Sequence, residues 1–148
     1  MTTLTNTITI DAPADRVWAI LTNLAELEKY DPTVAKSTVT SAEPTGFGAA
    51  RKVTMKDGKH WLDEQITAFE PEVALTFELT SCNFPIKHLS HSYSFAAEEG
   101  RTTVTQVMTY TPRFGRVGKL MDAIAIRRQS DSGVKKFFDG LKAHVEGI

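Results

Sequence analysis

The strand-like segments in the middle of this chain are joined by connections too short for parallel pairing. Turn-forming residues separate neighbouring segments, for example Asp57-Gly58, Glu70-Pro71-Glu72 and Glu99-Gly100. A parallel pair of strands needs a crossover of roughly a dozen residues or more, so each short turn implies an antiparallel pair. The strand-like segments are residues 34–41, 49–55, 60–69, 73–81, 87–97 and 102–111. The sequence therefore predicts an antiparallel meander.

The Asp57-Gly58 turn also predicts which residues of its two strands face each other. This dipeptide between alternating segments is typical of a two-residue type I′ hairpin turn. Counting outward from it pairs Val53 with Leu62 and Arg51 with Glu64, on a face that is otherwise mostly apolar. Burying an ion pair is costly unless each partner satisfies the other. The inward face therefore indicates a cavity with a charged pair in its wall.

The Glu99-Gly100 turn predicts a second inward face, on the last two strands. Its pairs are Phe95 with Val104, Tyr93 with Gln106, His91 with Met108, and Leu89 with Tyr110. A few polar groups among aliphatic neighbours are typical of an apolar ligand site in which the polar groups orient the ligand. The alternative is that these polar groups satisfy one another within a packed core.

Two short helices are predicted near the beginning of the chain. Residues 5–10 alternate like a strand, and Asp11-Ala12-Pro13 ends that strand and opens a helix. Apolar residues then follow at helical spacing from Val17 to Tyr30, with a break near Thr22-Asn23. These helices are expected to close one end of the fold.

One long helix is predicted over residues 117–145, where the apolar residues return to helical spacing. Polar residues interrupt its apolar stripe at Arg127, Arg128 and Asp131, and Gly133 weakens the helix there. These polar residues form either the floor of the cavity or a solvated part of the helix.

Length and charge restrict the classes of function. The chain has 148 residues, which suits one domain over residues 1–148. Its net charge is −1, from 17 basic and 18 acidic side chains that are interspersed, so no charge excess attracts nucleic acid or an anionic membrane. No apolar leader or membrane-spanning segment is visible, so we expect a cytoplasmic protein without integral membrane association. A monomer or a weak homodimer is expected.

Neither a metal nor a cofactor is predicted. The four histidines are dispersed, and the single Cys82 offers no cysteine pair for a metal site or a disulfide. Gly46-Phe47-Gly48 precedes a strand, whereas a phosphate-binding glycine loop opens a helix.

Several motifs carry a resemblance to a known family. They are the run from Ile8 to Trp18, Gly46-x-Gly48-Ala49-x-Arg51-x-Val53, Gly58, Glu64-x-Ile66 and Gly140-Leu141-Lys142. With the order of elements, they resemble the START-like helix-grip superfamily, in its polyketide cyclase/dehydrase and lipid-transport (SRPBCC) branch. The resemblance implies an α+β fold, in which a curved antiparallel sheet of about seven strands wraps around the C-terminal helix and encloses a cavity. Members include lipid carriers, plant hormone receptors and aromatase/cyclases, so the family implies a pocket rather than one reaction.

The resemblance and the inward faces together predict binding of a small hydrophobic or amphipathic molecule, in a transport or sensing role. The residues predicted to contact it are Arg51, Val53, Leu62, Glu64, Phe77, His91, Tyr93, Gln106, Met108, Tyr110, Ile124 and Arg128. The segments 82–86 and 112–116 are the candidates for gating the cavity mouth, because each carries an aromatic residue beside turn residues.

Two other functions stay open. A cyclase or dehydratase would act on a bound polyketide-like substrate, with His91 as the candidate catalytic residue for proton transfer. An interaction module of co-chaperone type would use the outer face of the sheet around Trp61, and that function needs an exposed apolar patch rather than a cavity.

Overall fold

Seven antiparallel strands form one sheet in the computed structural model, which describes residues 1–113, 115–121 and 125–147. The strands are β1 (Thr2–Ile10), β2 (Val34–Val39), β3 (Ala50–Met55), β4 (Trp61–Glu70), β5 (Ala74–Cys82), β6 (Ile86–Glu98) and β7 (Arg101–Pro112). Their order across the sheet is β1-β7-β6-β5-β4-β3-β2. The predicted meander is confirmed from β2 to β7, and β1 is added beside β7.

The helices cluster at the two ends of the chain. Helix α1 spans Ala14–Leu21 and is followed by a 3-10 helix, Leu24–Lys29, so the two predicted short helices are confirmed. Within the predicted long helix, the described residues include α2 (Gly115–Met121) and α3 (Arg127–Glu146). Residues 125–126 form a π-helical turn ahead of α3, and residues 122–124 lie outside the described ranges.

The register predicted for the β3–β4 hairpin is confirmed, but its predicted turn type is wrong. Arg51 pairs with Glu64, and Val53 pairs with Leu62. A type I′ turn requires positive φ at both central residues, and only Gly58 has it, at 74°. The Asp57 carboxylate instead accepts the backbone N–H groups of Lys59 and His60, at 2.7 and 2.8 Å. These side-chain hydrogen bonds stabilise a turn conformation other than type I′, while the register of the two strands is the same.

The β6–β7 hairpin has both the predicted register and a type I′ turn. Glu99 and Gly100 adopt φ values of 48° and 79°. The pairs on the inward face include Tyr93 with Gln106 and His91 with Met108, as predicted. The inward faces of both hairpins therefore look toward α3.

Helix α3 packs on the sheet mainly through its C-terminal half. Its buried residues are Val134, Phe137, Phe138, Leu141 and Val145. The Lys142 ammonium donates to the Thr9 carbonyl at 2.9 Å, and the Asp11 N–H donates to the Glu146 carboxylate at 2.8 Å. These contacts hold the last turns of α3 against the end of β1. The first turns of α3 instead border a cavity between the helix and the sheet. None of the described helices is long and apolar enough to cross a membrane.

Candidate ligand-binding cavity

A cavity of about 740 Å³ lies between the inward face of the sheet and the first half of α3. Cavities that hold small molecules usually measure roughly 300–1,000 Å³, so this volume suits such a ligand. Ten of the twelve predicted contact residues line it: Arg51, Val53, Leu62, Glu64, Phe77, His91, Tyr93, Gln106, Met108 and Arg128. That these residues contact a ligand stays a prediction.

Two predicted contact residues do not line the described cavity. Tyr110 is fully buried in the hydrophobic core, where it pairs with Thr2 of β1 and Leu89 of β6, and it is not among the residues that line the cavity. Contact between Tyr110 and a ligand therefore stays a prediction. Ile124 lies outside the described residues.

The charged pair predicted in the wall is present and buried. Arg51 Nε donates to Glu64 Oε1 at 2.6 Å, and both side chains are less than one tenth exposed. Burial lowers the pKa of Arg51, but the negative charge of Glu64 opposes this and the net pKa is raised, so the guanidinium stays charged. The guanidinium also lies over the Phe77 ring, with 4.5 Å between its carbon and the ring centroid.

A second group of polar side chains lies on β6 and β7. Gln106 Nε2 donates to the Tyr93 hydroxyl at 3.1 Å and lies 3.4 Å from His91 Nδ1. Burial raises the pKa of the Tyr93 hydroxyl and lowers the pKa of the His91 imidazole from 6.5. Both side chains are therefore uncharged at neutral pH. We call Arg51, Glu64, His91, Tyr93 and Gln106 together the polar cluster.

Two buried polar atoms of the polar cluster lack a hydrogen-bond partner among the described residues. They are the donor Nη1 of Arg51 and the acceptor Oε1 of Gln106. Most buried polar atoms in folded proteins are paired, since leaving one unpaired costs about 1–3 kcal/mol. A polar ligand atom that reached either of them would gain a hydrogen bond that no described residue supplies.

The β5–β6 loop forms part of the cavity wall. Phe84, Pro85 and Ile86 line the cavity, as expected if residues 82–86 border the mouth. The Asn83 side chain accepts the Trp61 N–H and donates to the Lys59 carbonyl, at 2.8 and 2.7 Å, which ties this loop to the β3–β4 hairpin. The other candidate, residues 112–116, contributes no described residue to the lining.

The cavity side of α3 is more polar than the sequence indicates. Arg128, Gln129, Ser132 and Lys136 line the cavity and are exposed, so they form a polar rim. The polar residues that interrupt the apolar stripe therefore do not all have the same position relative to the cavity. Arg128 borders the cavity, whereas Asp131 accepts a hydrogen bond from Asn6 at 3.1 Å and pairs with Lys135.

Some lining residues were missed because they lie outside the predicted inward faces. Asp31, Thr33 and Val34 follow the 3-10 helix, and Phe137 lies on α3 beside the apolar stripe that the spacing picks out. The sequence offers no local signal for the first group, because their position depends on how β2 meets the helices. Phe137 is an apolar residue next to Phe138 on α3. A broader definition of the apolar face of this helix would include it.

The outer face of the β3–β4 hairpin carries Trp61 and Lys52, which contact each other. Trp61 is half-buried, and the Lys52 ammonium lies 4.7 Å from its ring centroid. The Lys52 ammonium thus covers part of the Trp61 ring, on the face that an interaction module of co-chaperone type would use. Across the described ranges, no cluster of three or more histidine, cysteine or acidic side chains is placed to hold a metal ion.

The sheet, the closing helix and the cavity between them define a helix-grip protein with a START-like fold. The chain belongs to the polyketide cyclase / dehydrase and lipid transport family, whose profile matches residues 1–146. The predicted fold and family are therefore confirmed. No curated protein matches the chain by sequence.

Solved structures share this fold at low sequence identity. The protein TTHA0849 from Thermus thermophilus superposes with a TM-score of 0.83 and 19% identity, covering 99% of this chain and 98% of that one. The Zhui aromatase/cyclase from a Streptomyces species gives 0.80 and 12%, with 98% and 93% coverage. A START superfamily protein from Mycobacterium smegmatis gives 0.80 and 9%, with 98% and 97% coverage. At such identities the likeness is one of fold.

Proposed function

We propose that the protein binds a small hydrophobic or amphipathic molecule in the cavity, in a transport or sensing role. The observation that carries the proposal is the cavity itself, which combines an apolar wall with a few buried polar groups. Val53, Phe77 and Met108 belong to the apolar wall, and Arg51 and Gln106 supply unpaired polar atoms. Membership of a family described by polyketide and lipid chemistry supports the same class of ligand.

Affinity in this proposal comes mainly from burial of the apolar part of the ligand. Each 100 Å² of apolar surface removed from water contributes about 2.5 kcal/mol. The polar cluster then fixes the orientation of the ligand, because a misplaced polar atom would be buried without a hydrogen bond. The exposed rim on α3 leaves a polar route by which an amphipathic molecule enters and leaves.

Filling the cavity should abolish binding of a neutral fluorescent probe such as N-phenylnaphthylamine. Leu62 and Leu89 line the cavity on β4 and β6, so tryptophan at both positions takes up space that the probe needs. We expect the wild-type protein to bind the probe, and Leu62→Trp/Leu89→Trp to bind it at least about tenfold more weakly. Fluorescence titration measures both affinities.

The control places the same side chains on the other face of the sheet. Asp63 and Ser90 follow the two lining leucines in their strands, so their side chains point away from the cavity. Asp63→Trp/Ser90→Trp should bind the probe within about twofold of the wild type. Equal loss in both double variants, or no probe binding to the wild-type protein, would contradict the proposal. Independently of the probe, native mass spectrometry of the purified protein identifies the class of any co-purifying ligand.

A cyclase or dehydratase is the second candidate function, because the cavity wall holds an uncharged imidazole beside a phenol and an amide. His91 is the candidate catalytic residue, since a neutral imidazole accepts a proton from the carbon next to a ketone. Its pKa is lowered by burial, so the ring stays neutral at pH 6.5 and above and is protonated only at lower pH. Proton abstraction by His91 would therefore persist to pH 6.5 and fall in more acidic solution.

Deuterium exchange into the methyl group of acetylnaphthalene tests this candidate, because exchange requires removal of a proton next to the ketone. NMR in heavy water should show exchange accelerated by the wild-type protein by about a hundredfold over buffer. His91→Gln should lose the acceleration and keep the probe bound. His88→Gln changes an exposed histidine of the same strand and should retain it. No acceleration by the wild-type protein would exclude this candidate.

A further inference from the structure

We propose that the polar cluster selects an uncharged, oxygen-bearing ligand group, such as a hydroxyl or a ketone, and disfavours a carboxylate. The inference rests on the proposed binding function and specifies the chemical class of the ligand's polar end. It is argued from the buried charges and unpaired atoms of the cluster.

The positive charge of Arg51 is already neutralised. Glu64 Oε1 lies 2.6 Å from Arg51 Nε, and both side chains are less than one tenth exposed. A ligand carboxylate at the same guanidinium would be a second anion beside Glu64, and one buried negative charge would lack a counterion. An uncharged ligand group carries no such penalty.

The other members of the cluster supply no positive charge. Burial keeps the His91 imidazole neutral and keeps the Tyr93 hydroxyl protonated. Gln106 is uncharged at any pH. The cluster as a whole is therefore neutral, with the single ion pair internally balanced.

The unpaired atoms match an uncharged oxygen group. Arg51 Nη1 needs an acceptor, and Gln106 Oε1 needs a donor. A ketone satisfies the first atom, and a hydroxyl is able to satisfy either, because it both accepts and donates. A carboxylate accepts only, so it leaves Gln106 Oε1 unpaired.

The exposed rim attracts anions independently of the cluster, so the test must separate the two. Arg128 and Lys136 carry positive charge at the rim and are exposed. Salt at about 0.5 M screens exposed charges strongly, whereas a buried pair is screened much less. Affinities measured in such salt report on the buried cluster.

Four probes with one aromatic skeleton test the proposal: naphthalene, naphthol, acetylnaphthalene and naphthoate. Displacement of N-phenylnaphthylamine at neutral pH in about 0.5 M salt gives each affinity. We expect naphthol and acetylnaphthalene to bind at least about tenfold more tightly than naphthoate. Naphthoate binding as tightly as naphthol would overturn the charge selection. Failure of all four probes, naphthalene included, would contradict the proposed function itself.

Glu64→Gln should move the preference toward naphthoate, because it leaves the Arg51 charge available to a ligand anion. Asp63→Asn removes a carboxylate from the outer face of the same strand and should leave the preference unchanged. An unchanged preference in folded Glu64→Gln protein would contradict the proposal. A test that keeps the ion pair uses Gln106→Leu, which should weaken binding of naphthol more than binding of acetylnaphthalene, because only the hydroxyl donates to Gln106 Oε1. Thr105→Val on the outer face of β7 should change neither affinity. Equal effects of Gln106→Leu on the two probes would also contradict the proposal.

Discussion

Gly140→Ala should destabilise the protein by about 4 kcal/mol or more, which for many single domains is close to complete unfolding. A Cβ atom at Gly140 would lie 1.8 Å from the Tyr30 carbonyl oxygen and 3.0 Å from its carbonyl carbon. Both atoms belong to the backbone, so no side-chain rotation relieves the overlap, and α3 would have to move off the segment that follows the 3-10 helix. Urea denaturation followed by circular dichroism measures the loss.

Gly133→Ala is the matched control, because it makes the same change in the same helix. A Cβ atom at Gly133 meets nothing within 4 Å. Alanine is a better helix former than glycine, so this variant should gain about 0.5–1 kcal/mol. Opposite signs for the two variants would identify the contact with Tyr30, rather than helix propensity, as the cause. A loss below about 1 kcal/mol in Gly140→Ala would mean that α3 and Tyr30 are further apart.

The close approach at Gly140 also determines how the cavity is bounded. The Tyr30 ring contacts the Phe137 ring, with 5.8 Å between centroids, and Phe137 lines the cavity one turn before Gly140. The Phe137 ring in turn lies 6.0 Å from the Tyr93 ring of the polar cluster. A helix held away from Tyr30 would therefore shift an aromatic wall of the site, so loss of stability and loss of probe binding should accompany each other in Gly140→Ala.

The strand registers and inward faces could be predicted from sequence because they are set locally. A short turn determines which residues pair, and the two-residue period of a strand then determines which face each side chain takes. The two turns therefore predict Arg51 opposite Glu64 and Tyr93 opposite Gln106, and the structure has both pairs. The predicted type of the β3–β4 turn is wrong because the Asp57 carboxylate accepts two backbone N–H groups and stabilises another turn conformation. The dipeptide Asp-Gly alone does not specify which of these conformations forms.

The helix side of the cavity could not be predicted in the same way. Helical periodicity identifies the inner side of a helix by its apolar residues, which holds where the helix packs on the sheet. The first turns of α3 border a cavity instead, and residues such as Gln129, Ser132 and Lys136 line it. The sequence marks Gly140 only as part of a family motif. Its close approach to Tyr30 could not be predicted, because the two residues are 110 positions apart and no sequence pattern links them.

Glu64→Gln should destabilise the protein by about 3 kcal/mol or more. The amide keeps the size of the side chain and an oxygen that accepts the Arg51 N–H, but it removes the negative charge. Arg51 is then a buried guanidinium without a counterion, because its side chain is only 7% exposed and a guanidinium keeps its proton at neutral pH. Chemical denaturation at neutral pH measures the loss. A loss below about 1 kcal/mol would show that solvent reaches the pair.

Two further variants separate the lost charge from the lost contact. Asp63→Asn removes a carboxylate from the residue opposite Lys52 on the outer face of the same strand pair, and it should cost under about 1 kcal/mol, since charges near the surface interact weakly. Arg51→Met/Glu64→Leu replaces the buried pair with apolar side chains and should recover most of the stability lost in Glu64→Gln. If it does, the ion pair contributes little to the stability of the fold. Its retention in the wall of the cavity is then explained by its effect on the ligand, and the double variant should fold well but bind acetylnaphthalene more weakly than the wild type does, because the ketone loses the Arg51 donor.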